Sequence, residues 1–371
     1  NLIWAPSNAG PVAQEEEIAK YQPARDYGHD WSLAPLFNYT PDDGLLIGGG
    51  PRLYEFGFRR IPYVYKMDLV GGFTLKTGAY QFAYAAHLPS LLRKVDLDIN
   101  AHASQLEVRN FYGLGNETYR DEELEDADFY RVNSTEYLIH PSLKHHPHKN
   151  VAIGIESFAK HFQVRQKNNR YLNDKNIDSI GNDKTILGTG VKLEVDTRDR
   201  IPYPSRGVYW QLEAWNFPDP FDGGRPFQKL VGDFRFFFGD TLLRDFVVGL
   251  RLRGEKLQGR YPFYEAAFLG GGSLLRGYRL QRYGGDASVL ASADLRMFLL
   301  RLKLLIPTEV GILVLADAGR VWLSSDSPGG WHTDVGGGFW FAPLTRDIIF
   351  SVYAASSVDG LLVNGGIGFS F

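Results

Sequence analysis

Segments in which apolar and polar residues alternate at every second position constrain this chain more than any other feature. Residues 95–104 place valine, leucine, isoleucine and alanine on one set of alternate positions, and aspartate, asparagine, histidine and serine on the other. Residues 185–198 repeat the pattern, with lysine, glutamate, aspartate and arginine on the polar side. Because successive side chains of a β-strand point to opposite faces, each segment predicts a strand with one apolar and one polar face. No helical period competes with this pattern.

The number of such segments favours a membrane β-barrel over a soluble sandwich, whose strands can alternate in the same way. Tyrosines and tryptophans lie near the segment ends, as in the interfacial girdles of membrane barrels. No run approaches the roughly 20 apolar residues that a membrane-spanning helix needs. We therefore predict an all-β fold over residues 31–371, a transmembrane antiparallel up-and-down β-barrel of about sixteen strands in the bacterial outer membrane. Residues 1–30 are expected to form an extended periplasmic lead-in.

The lengths of the connections agree with this architecture. An up-and-down barrel places its connections alternately at its two ends, and outer-membrane barrels keep the periplasmic ones short. The odd-numbered connections include the long ones, at residues 108–126, 163–184, 218–225, 256–285 and 319–330. Even-numbered connections are short, for example residues 59–62, 145–147, 239–243 and 342–345. One missed or invented strand would disturb this order.

The connection at residues 259–285 is the most unusual part of the chain. It is too long for a hairpin turn and too rich in glycine for a helix, and such connections are usually functional. It contains Arg276 among small and apolar residues, where a guanidinium needs a nearby acceptor or carboxylate. The alternation on the following strands turns Asp294, Arg296 and Asp317 toward the lumen. We expect the loop to fold into the barrel before the twelfth strand, with Arg276 paired to Asp317 or Asp294.

The two ends of the barrel sequence predict a weak seam where the first strand meets the last. Pro35 cannot donate a ladder hydrogen bond, and the glycines of the last strand favour neither extended structure nor packing. The seam residues are Pro35, Gly365, Gly366 and Gly368. Whether this seam has a function or is only the poorest pair of a closed barrel is left open by the residues.

The final residues match an assembly signal. A polar residue, a glycine and two aromatic residues look like the C-terminal signal by which outer-membrane barrels are recognised for assembly. These residues are Asn364, Gly366, Phe369 and Phe371. Their spacing predicts that Phe369 and Phe371 share the lipid-facing side of the last strand.

Three short motifs resemble those of a known family, the BamA/TamA superfamily of outer-membrane assembly and translocation barrels. Its Arg-Gly-Tyr or Arg-Gly-Phe loop tip, its Asp-x-Gly strand motif and the acidic residue between them have counterparts here. The counterparts are Leu275, Arg276, Gly277 and Tyr278 for the tip, Asp317 and Gly319 for the strand motif, and Asp294 for the acid. The resemblance is firmest over residues 185–371.

The resemblance implies a function as well as a fold. Members of this family insert or translocate other polypeptides without covalent chemistry, and the seam opens laterally to admit substrate strands. Roughly thirty residues precede Trp31, so we expect the family's periplasmic docking domains to be absent, cleaved or replaced by a partner. The alternative is a non-catalytic barrel that anchors or scaffolds a partner complex in the outer membrane.

Other functional classes find little support. A net charge of -3 does not indicate the strongly basic surface that binds nucleic acid. The absence of cysteine excludes thiol chemistry and thiolate metal sites. Ser273 follows three glycines but lacks the Gly-x-Ser-x-Gly elbow, so we expect no enzyme, no cofactor and no small-molecule substrate. A solvated turn is favoured over a metal site at four clustered histidines, which are His140, His145, His146 and His148. The expected partners are outer-membrane lipids and periplasmic or membrane proteins.

Overall fold

The chain folds into a closed β-barrel in the computed structural model. The structure describes residues 27–58, 60–92, 94–106, 110–165, 169–174, 184–218, 226–239, 246–303, 306–325, 327–346 and 348–371. Sixteen antiparallel strands close the barrel, and the first strand lies next to the last. The predicted fold class is confirmed. Most of the predicted lead-in, residues 1–26, lies outside the described residues.

The strands follow one another around the wall in chain order, with one interruption. The barrel strands are β1 (His29–Thr40), β2 (Gly44–Gly57), β3 (Arg60–Thr74), β4 (Tyr80–Leu92), β5 (Val95–Ser104), β6 (Ser134–His148), β7 (Val151–Val164), β8 (Lys184–Asp196), β9 (Gly207–Phe217), β10 (Phe227–Gly239), β11 (Phe246–Gly259), β14 (Ala287–Lys303), β15 (Pro307–Trp322), β16 (His332–Pro343), β17 (Phe350–Ser357) and β18 (Gly360–Ile367). The hairpin of β12 (Ala267–Leu269) and β13 (Tyr283–Gly285) is separate from the wall. Short helices α1 (Glu122–Asp126) and α2 (Tyr171–Asp174) lie in long connections. No helix within the described ranges combines the length and the apolar character that a membrane crossing requires.

The alternation of the sequence gives the wall two different faces. On β7, Ile155 is 68% exposed on the outer surface, whereas the next residue, Glu156, is 3% exposed. Glu156 lies 3.3 Å from the ring of His140 on β6. Outward apolar and inward polar side chains suit a wall surrounded by lipid, because lipid cannot hydrogen-bond to charged groups.

One strand differs from the sequence prediction at both ends. β6 was expected from about residue 127 to a turn at residues 145–147, but it begins at Ser134 and continues to His148. Residues 127–133 instead form a turn and an isolated bridge between Arg131 and Asn110. They follow α1, where the Asp121 side chain accepts a hydrogen bond from Leu124 N and caps the helix. At the other end, an irregularity in the β6–β7 register between His145 and His148 accommodates Pro147, which cannot donate to the ladder.

The connection between β11 and β14 folds into the barrel, where many of its side chains are buried. We call this connection, residues 260–286, the plug loop. Leu275 and Tyr278 near its tip are at most 1% exposed and pack with Leu290 of β14 and Val321 of β15. The predicted inward-folded loop is therefore present, and it supplies most of the core on that side of the barrel.

Candidate functional site

Arg276, at the tip of the plug loop, lies between two carboxylates of the barrel wall. Its Nε and Nη2 donate to the two oxygens of Asp317 on β15, each at 2.7 Å. Its Nη1 donates to Asp294 on β14 at 2.6 Å, and its backbone N–H donates to Asp317 at 3.1 Å. The guanidinium is fully buried. This forked arrangement fixes both the position and the orientation of the tip, because a planar guanidinium matches a carboxylate at two points.

Two glycines of the predicted motifs allow the tip to approach the wall closely. A Cβ atom at Gly277 would lie 2.5 Å from Cβ of Asp334 on β16. A Cβ atom at Gly319 on β15 would lie 2.8 Å from a methyl group of Leu269. At Gly277 the close neighbour is a β-carbon that cannot move without its backbone, so only glycine fits against β16 there. At Gly319 a larger residue would require the end of the Leu269 side chain to shift.

A second buried guanidinium, Arg296 of β14, extends the ion-pair cluster. Its Nη2 donates to Asp294 at 3.1 Å and to the main-chain oxygen of Phe371 at 2.8 Å. The alternation placed Arg296 on the lumen side, but its contact with the last residues of the chain had no signal in the sequence.

The predicted orientation of the final aromatic residues is wrong. β18 ends at Ile367, and Gly368 takes a φ of 90°, which turns the chain away from the wall. The Phe369 ring lies 4.0 Å from the Arg296 guanidinium carbon, and Phe371 is 8% exposed beside the same guanidinium. Both rings face the lumen because buried guanidiniums attract aromatic faces. The residues Asn364, Gly366, Phe369 and Phe371 as an assembly signal stay a prediction.

Neighbouring strands hold the main-chain oxygens of the tip. The Tyr353 hydroxyl donates to Gly272 O at 2.6 Å, and Arg251 donates to Ser273 O at 2.7 Å. Ser357 donates to Gly277 O at 2.7 Å. Asn364 of β18 donates to the main-chain oxygen of Arg276 at 3.2 Å. The tip is thus held by three strands, β11, β17 and β18, in addition to its ion pairs.

Comparisons with known proteins assign this architecture to a family. The family description "Omp85 superfamily domain" matches residues 72–352, more than half of the chain. The chain belongs to the Omp85 superfamily. The resemblance derived from the tip and strand motifs is confirmed, and this Omp85 barrel is an outer-membrane protein.

Solved structures share the fold of this Omp85 barrel at low sequence identity. BamA from Haemophilus ducreyi lacking POTRA domains 1-3 is 14% identical, with a TM-score of 0.65, covering 92% of this chain and 70% of that one. CdiB from Escherichia coli is 14% identical, with a TM-score of 0.61, covering 94% of this chain and 64% of that one. CdiB from Acinetobacter baumannii is 12% identical, with a TM-score of 0.53 and coverage of 96% and 67%. No curated protein sequence matches the chain.

The seam of this Omp85 barrel joins β1 to β18 over a short length. The ladder pairs Asn38 with Gly366 and Tyr39 with Gly365, and the described residues contain no other β1–β18 ladder position. On its other side, β1 pairs with β2 at every position from His29 to Thr40. Of the other predicted seam residues, Pro35 lies opposite Gly49 in the β1–β2 ladder, and Gly368 lies beyond the end of β18.

A polar cap that the sequence did not reveal covers the plug loop at the long-connection end of this Omp85 barrel. Arg282 donates to Asp359 at 2.6 Å, and its guanidinium lies over the rings of Tyr112 and Tyr283. Arg279 lies 3.0 Å from Glu125 of α1. Burial alone would raise the pKa of Glu125, but hydrogen bonds from Arg120 and Tyr112 and the nearby charge of Arg279 lower it overall.

The clustered histidines lie in separate contacts. Nε2 of His146 is 2.9 Å from Asp96, and Nε2 of His140 is 3.3 Å from Glu156. In the described part of the chain, no group of three or more histidines and carboxylates could hold a metal ion.

Proposed function

We propose that this Omp85 barrel assists the insertion or translocation of polypeptides at the outer membrane through the seam between β1 and β18. The observation that carries this proposal is the pairing of β1. Its β18 side is bonded at Asn38 and Tyr39 only, whereas residues 29–37 have no ladder partner on that side in the described structure. A free strand edge pairs readily with an extended segment of another chain.

The small number of ladder positions makes the seam the weakest joint of the wall. A backbone hydrogen bond contributes roughly 0.5–1.5 kcal/mol to stability. Separating β1 from β18 breaks only the hydrogen bonds at two ladder positions, so its cost in free energy is small. Separating β1 from β2 would break a ladder that extends over the whole of β1. Opening on the β18 side is therefore the cheaper of the two.

The surroundings of the seam support access from both lipid and lumen. Leu33 of β1 is 71% exposed and Trp31 is 67% exposed. A cavity of about 350 Å³ on the lumen side is lined by Asn38, Asn364 and Gly272 of the plug loop, among others. This cavity leaves space between the seam and the plug loop, so a substrate strand that enters at the seam has room beside the loop.

A disulfide across the seam tests the proposal, and the chain has no cysteine of its own to interfere. Asn38→Cys with Gly366→Cys would lock β1 to β18. Asn38→Cys with Leu46→Cys is the matched control, because it locks the same residue to β2. The abundance of other outer-membrane barrels, measured by mass spectrometry in the native cells, is the readout. We expect the seam lock to reduce many of these barrels, with recovery on adding a reductant, and the control lock to have no effect.

The same measurement distinguishes the alternative function. If depletion of this barrel removed one protein complex and left the other barrels at normal abundance, an anchoring or scaffolding role would be favoured. An unchanged abundance of the other outer-membrane barrels in seam-locked cells would contradict lateral opening.

A further inference from the structure

Asp334 of β16 is a buried carboxylate beside the plug contact, and it forms no ion pair with any residue that the structure describes. It is the register partner of Asp317 on β15 and is 3% exposed. Neither of its carboxylate oxygens makes a hydrogen bond of good geometry among the described residues, although the Gly277 amide and the Asp317 carboxyl group lie close enough to influence it. Native proteins rarely leave such a group unsatisfied, so its state needs a physical explanation.

The charges around Asp334 are already balanced without it. Arg276 and Arg296 offset Asp294 and Asp317, with which they form direct ion pairs. An ionised Asp334 would add an uncompensated negative charge next to Asp317. A buried acid in that position takes up a proton instead, because an unpaired charge is poorly solvated there. The other titratable or charged groups that face it are Tyr353 from β17, Arg276 and Tyr278 from the plug loop, and His332 from its own strand.

Gly277 links Asp334 directly to the tip of the plug loop. The main chain at Gly277 rests on the Asp334 side chain, where there is no room even for a methyl group. An ionised Asp334 would have to draw in water or change its rotamer, and either change displaces Gly277. Arg276 is the preceding residue, so this displacement acts on the three hydrogen bonds of its guanidinium with Asp294 and Asp317.

We propose that Asp334 is a proton-dependent positioning residue: when protonated it lets the Arg276–Gly277 tip sit against β15 and β16, and its ionisation releases the tip. The seated state then holds a proton that the released state gives up. By linkage, seating is favoured at low pH. It weakens by up to about tenfold for each pH unit over the range in which the released Asp334 is ionised and the seated Asp334 is still protonated. This inference goes beyond the proposed function, since it concerns the plug loop whether or not the seam opens.

Hydrogen exchange of the full chain in detergent micelles, read by mass spectrometry over residues 270–280, tests this proposal. The amides of Gly271, Leu274 and Tyr278 are hydrogen-bonded within the loop and report its seating. After correction for the intrinsic exchange rate, we expect the protection of the unaltered protein to fall between about pH 4 and pH 7, by up to about tenfold per unit, and to level off at higher pH. We expect Asp334→Asn to stay protected throughout this range.

Control variants separate this effect from general loosening. Asp98→Asn on β5 removes a lumen carboxylate that pairs with His87 and Lys144, and we expect it to respond to pH like the unaltered protein. Asp334→Ala, which lacks the titrating group, should behave like Asp334→Asn and serves if the asparagine variant fails to fold. The proposal is overturned if these Asp334 variants keep the pH response, or if they lose protection at every pH.

Discussion

The tip of the plug loop and the seam between β1 and β18 are joined to the barrel in opposite ways. At the tip, one fully buried guanidinium makes three side-chain hydrogen bonds with two carboxylates. At the seam, two long strands share two ladder positions, both formed by glycines of β18. The difference is that the interior of the barrel is held by many buried contacts, whereas the wall contains one joint with only two ladder positions, the joint at which we propose that the barrel opens.

The two regions are also in contact. Asn364 lies on β18 and donates to the main-chain oxygen of Arg276. Ser370, just beyond β18, accepts a hydrogen bond from the Arg276 guanidinium at 2.8 Å. The plug loop therefore holds the β18 side of the seam, so β1 is the strand that would move away in the proposed opening.

Replacing Arg276 should have the largest effect of the changes considered, because it removes the buried ion pairs that hold the plug loop. Arg276→Ala leaves Asp294 and Asp317 buried with too little positive charge, and breaking such a pair costs about 3–5 kcal/mol. We expect a large fall in the free energy of unfolding in urea and loss of the plug's protection from proteases. Arg276→Lys keeps the positive charge but loses the two-point contact of the guanidinium. Its free energy of unfolding should therefore lie between those of Arg276→Ala and the unaltered protein.

A surface ion pair gives the control for that experiment. Arg301 is 59% exposed at the side chain and pairs with Glu309, and exposed pairs contribute at most about 1 kcal/mol. The free energy of unfolding of Arg301→Ala should therefore be close to that of the unaltered protein. If Arg276→Ala were as stable as Arg301→Ala, the tip would not be the fixed region that we describe.

A methyl group at Gly277 should have a smaller but measurable effect. Gly277→Ala places its Cβ against that of Asp334, and overpacking of this kind costs about 1–3 kcal/mol. Gly330→Ala is the matched control, because nothing lies within 4 Å of a Cβ atom there. Urea unfolding that failed to distinguish the two variants would show that the tip has more freedom than its contacts suggest.

The strands and the inward loop were predictable because they depend on local periodicity. Alternation alone placed Asp294, Arg296 and Asp317 on the lumen side, and the length and glycine content of the plug loop indicated that it folds inward. The same reasoning failed for Phe369 and Phe371, since it assumed that β18 continues to the last residue. The left-handed turn at Gly368 and the guanidiniums that receive the rings are tertiary features.

Other parts of the site depend on strand register, which the sequence does not specify. Asp334 lies opposite Asp317 only because β15 and β16 pair in one particular alignment. Asn116 likewise donates from a distant connection to Gly330 O at 2.8 Å. Such contacts join residues that have no periodic relation along the chain, so they emerge only when the barrel is closed.

Photo-crosslinking from the free edge of β1 tests the central claim most directly. A photoreactive residue at Leu33 is compared with one at Ile155, which is similarly exposed but lies on β7, a strand paired on both sides. We expect newly made outer-membrane polypeptides to be captured from Leu33 and not from Ile155. Equal capture from the two positions, or none from Leu33, would contradict a seam that receives substrate strands.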